Sequence, residues 1–212
     1  MVCWSVGGGV GTSVVVAGLA LAAARVDEAS LIVDLRGDQP ALFGQSEPDG
    51  PGLGAWLRAG PDVPPDALAR IGVELGPGIS LLPCGGALEP GRVGALAEAL
   101  AAEERFVVVD AGVLVSGSVA HGLVAQAERT LLITRACPMA LRHLAVLPVM
   151  PSGVVVVREP RRTVTWSDVG DVTGAPVVAE LDIDPAVAAA VDAGLANRTL
   201  PRAFLRVLGS LR

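Results

Sequence analysis

A chain of 212 residues with 51% hydrophobic content is long enough to bury one substantial core, and it is read as a single domain, residues 1–212. Its formal charge of −6 argues against a surface that gains affinity by releasing counterions from nucleic acid, which needs clustered cations, so direct nucleic-acid binding is disfavoured. All 16 cations are arginines: the chain has no lysine, a bias that reads as genomic base composition but also removes every ammonium side chain.

Short β-branched runs alternate with Ala- and Leu-rich segments, the pattern of parallel strands joined by crossover helices. In chain order the spacing predicts a strand at 2–6, a helix at 12–25 and a strand at 30–34. An insertion rich in Gly, Pro and Asp follows at 44–77, with short helices near 54–59 and 65–71. Beyond it come a strand at 79–83, a helix at 90–104, a strand at 106–110, a helix at 118–127 and a strand at 130–134. A helix at 139–147, strands at 154–157 and 177–180 and a helix at 185–193 complete the pattern. The expected architecture is α/β: a doubly wound, mostly parallel sheet of about seven strands with helices on both faces. Pro90 and Pro185 suit first-turn positions, where a missing N–H costs nothing.

Cys3, Cys84 and Cys137 are far apart and show no C-x-x-C spacing, which suggests neither a zinc site nor a disulfide framework but reduced, buried thiols in a cytoplasmic protein. The apolar stretch 14–24 is as short as a signal-peptide core, but a glycine loop rather than a basic segment precedes it, and a bilayer span takes about 20 residues. It reads as a buried helix. His121 and His143 have no nucleophile beside them in the pattern, so surface or packing roles are expected. The C-terminal stretch from Pro201 places Phe204, Leu205, Leu208 and Leu211 on one helical stripe, with Arg202, Arg206 and Arg212 elsewhere. Docking onto the domain is the favoured reading, and contact with the inner face of the membrane is the alternative.

Gly7, Gly8, Gly9, Val10, Gly11, Thr12 and Ser13 directly follow the first predicted strand and open a long apolar helix. Glycines there let the backbone curl with its N–H groups inward, and a helix N-terminus adds positive potential, so the context favours an anion; a purely structural turn is the alternative. Ligands of doubly wound sheets sit at the carboxyl ends of the strands, which adds weight to the first reading. Asp34 and Asp110 end the second strand and the strand at 106–110. Beside a phosphate loop they manage magnesium, and without a nucleotide they cap helices or bond backbone N–H groups. The Ser13 hydroxyl carries a similar pair of readings, as a magnesium ligand or as a partner for local backbone groups.

The loop resembles the deviant Walker A of the MinD/ParA family, Lys-Gly-Gly-x-Gly-Lys-Thr followed by Thr or Ser. Gly8, Gly9, Val10 and Gly11 fall on its Gly-Gly-x-Gly and Ser13 on its magnesium-coordinating hydroxyl. Gly7 occupies the place of the signature lysine that reaches across a dimer, and Thr12 that of the lysine holding the β- and γ-phosphates. The run from Leu31 to Gln39 is similar to the family's second-strand motif, with Asp34 on its first aspartate and Arg36 in place of its second. Residues 106–110 resemble Walker B, with Asp110 as outer-sphere magnesium partner, although the usual following proline is absent. Residues 127–134, Ala140 to Arg142 and 176–194 are similar to later strands and helices of the family. Val157, Arg158 and Glu159 stand where its base-reading Asn-Arg pair often lies.

The resemblance implies a P-loop NTPase-like fold and, where the loop still works, ATP with Mg held by Gly8, Gly9, Val10, Gly11, Thr12, Ser13, Asp34 and Asp110, with Ser13 and Asp110 at the metal. The missing lysines favour a pseudo-ATPase, a scaffold or spatial regulator working through an unidentified protein partner and compatible with a homodimer. A nucleotide-switched ATPase for positioning, partitioning or pilus assembly is the alternative. Residues 52–57 and Leu81, Leu82 and Pro83 look most like the TadZ/CpaE pilus-assembly branch, whose members often carry a receiver-like domain before the loop; this sequence opens on the loop.

Overall fold

Runs such as SLIVD and GVVVVR carry almost no polar alternation, so as strands they must be covered on both faces. The structure, a computed structural model, describes residues 1–60, 63–64 and 66–212. In chain order its elements are β1 (Val2–Ser5), α1 (Thr12–Ala24), β2 (Ser30–Asp34), α2 (Gln39–Leu42), α3 (Leu53–Arg58), α4 (Ala67–Arg70), β3 (Val73–Gly76) and β4 (Ile79–Leu82). A 3-10 turn (Pro90–Arg92) leads into α5 (Val93–Ala101), followed by β5 (Phe106–Val113), α6 (Val119–Gln126), β6 (Thr130–Arg135), α7 (Pro138–Leu144) and β7 (Gly153–Arg158). The chain continues through α8 (Trp166–Thr173), β8 (Val177–Asp182), α9 (Pro185–Asp192), α10 (Ala196–Thr199) and α11 (Arg202–Gly209).

The strands form one sheet in the order β3-β4-β2-β5-β1-β6-β7-β8, parallel throughout except for the β3–β4 pair. Alternate strand residues feed two cores. Trp4, Val33, Leu132, Val154 and Val156 pack with α3, α5, α6, α7 and α8 on one face, while Cys3, Ile32, Ile133 and Val155 pack with α1, α2, α9, α10 and α11 on the other. Helix α1 is apolar all round and buried throughout residues 15–23, as a helix must be when it lies under a second layer. That layer is α11. Leu205, Leu208 and Leu211 are buried, and the close approach needs Gly18, where a Cβ would overlap Leu208 Cδ1 and lie 2.9 Å from Phe204 Cε1. Arg129 Nη2 bonds the Leu211 carbonyl at 2.7 Å, and Arg212 pairs with Glu28. The C-terminal stripe is therefore docked. Among the described residues no helix is long and apolar enough to cross a membrane.

Three details differ from the expected pattern. The sheet has eight strands among the described residues, in keeping with the expected mostly parallel sheet of about seven, and β3 is the strand that the pattern did not place: a short antiparallel edge with a single buried residue, whose Glu74 accepts from Ser80 Oγ at 3.0 Å. Helix α8, which the pattern did not place, is fixed by a capping box between Thr165 and Asp168, with Val169 and Thr173 as its buried anchors. The helix expected at 65–71 is Ala67–Arg70, with Pro65 outside the described residues. Of the cysteines only Cys3 is fully buried, and burial pushes its thiol up to about 12; Cys84 and Cys137 are half-buried.

Candidate functional site

The carboxyl ends of β1, β2 and β5 lie side by side, because β5 pairs with both of the others. After Ser5, whose Oγ donates to the Gly112 carbonyl at 3.2 Å, the chain turns through Gly9 (φ +69) and Gly11 (φ +93) into α1. Both angles lie in the left-handed region where a Cβ is costly, so glycine is needed at those two places. Gly11 caps α1 without a side-chain acceptor. A hydrogen-bonded turn at Gly8 and Gly9 engages the Val10 N–H; among the described residues the N–H groups of Gly8, Gly9 and residues 11–14 find no acceptor, and Val15 N bonds Gly11 O at 3.0 Å. Nothing lies within 4 Å of where Cβ atoms on Gly8, Gly9 or Gly11 would be. The loop therefore presents a run of unanswered donors to an open cleft of about 390 Å³, lined also by Arg36, Asp38 and Gly112.

The carboxylates beside it are sealed. Asp34 and Asp110 are register partners on β2 and β5, and both are fully buried. Asp34 Oδ1 accepts from Arg36 N and Gly37 N at 2.8 Å each, and its Oδ2 accepts from Gln39 N at 3.0 Å. Burial raises its pKa against the pull of those three N–H groups. Asp110 Oδ1 accepts from Gly112 N at 3.2 Å, and Oδ2 accepts from Gln39 Nε2 at 2.8 Å. Burial pushes Asp110 up to about 6, with the Gln39 bond acting in the opposite direction.

Gln39 joins the two halves, since its Nε2 also donates to the Ser13 carbonyl at 3.0 Å. The amide nitrogen must face these two acceptors, which leaves the buried Oε1 without a partner among the described residues. Its role was not apparent from the sequence, although it sits only five residues after Asp34 within the second-strand motif.

The cations come from outside the loop. Gly7 lies near the exposed His143, whose Nδ1 is 4.0 Å from a Cβ built there, and Thr12 is buried at the start of α1. Arg135, at the end of β6, donates through Nη2 to the Gly9 carbonyl and through Nη1 to Glu159 Oε1 at 3.0 Å. It ties the loop to β6, the neighbour of β1 on the side away from β5. Arg36 instead lies along Gly112 and borders the cleft itself.

Of the residues expected to form a site, the structure thus brings Gly8, Gly9, Val10, Gly11, Thr12 and Ser13 to one cleft. Asp34 and Asp110 lie beneath it, linked through Gln39. These residues fit a phosphate group, because the cradle is open and most of its N–H donors are unmatched. They do not supply the ammonium groups that phosphoryl transfer draws on.

Solved structures of the same shape cover almost the whole chain. A ParA family ATPase from Chlorobium tepidum TLS matches 99% of this chain and 96% of its own with a TM-score of 0.79 at 19% identity. The septum site-determining protein MinD from Pyrococcus horikoshii OT3, complexed with Mg-ADP, matches 99% and 95% with a TM-score of 0.77 at 18% identity. The fold is that of the MinD/ParA P-loop proteins. The MinD of a MinC:MinD cell division protein complex from Aquifex aeolicus has a TM-score of 0.77 at 16% identity, covering 99% of this chain and 93% of that one. No protein-family model and no curated protein sequence matches the chain.

Proposed function

We propose that this chain is a degenerate MinD/ParA-like P-loop protein that acts as a scaffold or spatial regulator through protein–protein contacts, without efficient ATP hydrolysis. The observation that carries this reading is a loop with open glycines and unanswered N–H groups but without an ammonium group, in a chain with no lysine to lend one from a second copy. Phosphoryl transfer depends on positioning and charge stabilisation, and one preorganised donor is typically worth about 3–4 kcal/mol, or roughly 10²–10³ in rate. Losing both lysines removes more than one such donor. A MinD of this fold is found in complex with MinC, which supports a protein partner as the output of the fold, and a homodimer through the cleft face fits the same reading.

The alternative, a nucleotide-switched ATPase for positioning, partitioning or pilus assembly, draws its support from Ser13 and Asp110. In it the N–H groups of residues 8–14 would hold the phosphates, and Ser13 and Asp110 would stand at the magnesium, which would neutralise phosphate charge. Asp34 would order the chain after β2 through its three backbone bonds. Steady-state phosphate release with millimolar Mg-ATP separates the two. The scaffold reading expects no turnover above buffer and no rise of several degrees in melting temperature, since a ligand at 100-fold excess over Kd stabilises by about 2.7 kcal/mol. Turnover that Gly11→Val abolishes would establish the alternative.

A further inference from the structure

We propose that the face formed by the end of α1, α10 and α11 binds an acidic, partly apolar segment of a protein partner, held by Arg25, Arg198, Arg202 and Arg206. The proposal rests on the reading of the chain as a scaffold that works through protein contacts, and it gives that contact a place and a chemistry away from the glycine loop.

Two clefts adjoin on this face. One of about 400 Å³ sets Arg25 and Arg198 over Leu21 and Leu205, and one of about 360 Å³ sets Arg25, Arg202, Arg206 and Arg212 over Ala22 and Leu205. Among the described residues no carboxylate lines either cleft, although the chain carries 22 acidic residues against 16 arginines. Other clefts mix the signs: Asp38 stands with Arg36 at the glycine loop, and Glu180 and Asp182 stand with Arg158 at the ends of β7 and β8.

Arg212 is taken by Glu28. Arg25, Arg198, Arg202 and Arg206 are exposed and form no ion pair among the described residues. The fold does not call for all of these charges. Arg25 and Arg206 stand at helix C-termini, where the dipole welcomes a cation, but Arg202 opens α11, where the dipole repels one. Arg202 and Arg206 are also one turn apart on the same helix, a like-charge pair that opposes the helix until an anion lies across it.

The rim selects carboxylates, since a guanidinium fork donates two parallel N–H groups to the two oxygens of one carboxylate. The apolar surface selects the class of partner. Val26 and Val207 are exposed beside the arginines, and Leu205 floors both clefts. A lipid surface does not fit, because Leu205, Leu208 and Leu211 are buried against α1 and leave α11 no free apolar stripe to insert. Duplex nucleic acid gains nothing from the apolar floor and meets a chain of net charge −6. An acidic protein segment uses rim and floor together.

The test titrates the full chain into a fluorescein-labelled synthetic peptide rich in Glu and Leu at amphipathic helical spacing, read by anisotropy at low and at physiological ionic strength. Wild type binds it, more weakly as salt rises, and backbone amide shifts move at residues 22–26 and 198–209. Arg202→Glu with Arg206→Glu weakens binding by roughly ten-fold or more. Arg142→Glu with Arg161→Glu, at exposed arginines outside both clefts, makes the same change of charge and leaves binding as it was. Arg202 and Arg206 are exposed, so an unchanged melting temperature shows that the fold is kept. Failure of wild type to bind the peptide at low ionic strength, or binding that the Arg202 and Arg206 reversals leave intact, overturns the proposal. Tighter binding of phosphatidylglycerol vesicles or duplex DNA than of the peptide, through the same arginines, also overturns it. So does a wild-type dimer in sedimentation that the two reversals dissolve, since the face would then belong to a second copy. Each of these outcomes leaves the absence of turnover untouched, whereas steady Mg-ATP turnover overturns the functional reading and leaves peptide binding as measured.

Discussion

The two halves of the site are built in opposite ways. At the end of β1 most donors of residues 8–14 are unanswered and the glycines face open space, whereas one and two strands away Asp110 and Asp34 are fully buried and every carboxylate oxygen is engaged. In the loop, shape persists without side chains, because left-handed glycines and the following helix set the backbone path. Beneath it, shape depends on a few side chains that burial would otherwise penalise. Substitutions should therefore cost stability in the sealed half and ligand in the open half.

The largest effect is expected at Asp110. Its folded carboxyl titrates near 6 against about 4 in the unfolded chain, so the folded state holds a proton that the unfolded state has released. Its contribution to stability is thus greatest below about pH 4 and is lost as pH rises toward 6. The full difference is worth roughly 3 kcal/mol. Denaturant unfolding of wild type and Asp110→Asn between pH 4 and 7 should show wild type losing about that much relative to the variant; parallel curves would mean that Asp110 is not the buried acid described here.

Gln39→Leu comes next. It keeps the volume but strips the donor from Asp110 Oδ2 and the Ser13 carbonyl, and leaving such groups unpaired costs about 1–3 kcal/mol. A variant as stable as wild type at neutral pH would show that the bridge between the halves carries no energy. In the loop, Gly11→Ala places a Cβ at φ +93 and should cost about 1–2 kcal/mol. Gly8→Ala meets neither a neighbour nor a positive φ and should stay within about 0.5 kcal/mol. Equal costs at Gly8 and Gly11 would break the claim that the loop is held by conformation and not by packing.

The sheet and the loop were legible because their signals are local: β-branched runs such as SLIVD, and a glycine cluster before an apolar helix. What the sequence hid is carried by distant pairs. Gln39 meets Asp110 across 71 positions, and Arg135 meets the Gly9 carbonyl across 126; only the parallel register of β2, β5, β1 and β6 brings them together. Strand β3 leaves no period to read, with one buried residue in four, and α8 buries only Val169 and Thr173 of its eight residues, its start being written in the capping pair Thr165 and Asp168. Gln39 lay within a recognised motif, yet nothing local marks it as the bridge.

The central claim is that the loop keeps a working phosphate path and lacks only its charges, and restoring the lysines tests it most directly. Gly7 has no positive φ and a Cβ there meets only His143 Nδ1, at 4.0 Å, while Thr12 is buried but borders the cleft, so a melting curve of the Gly7→Lys, Thr12→Lys double variant accompanies the test. Equilibrium titration of labelled Mg-ATP should then show the double variant binding at least roughly ten-fold more tightly than wild type, as expected when charge-assisted bonds are added to a formed cradle. A folded double variant that binds no better than wild type would contradict the account, because the loop would then be closed to phosphate for a reason other than missing charge.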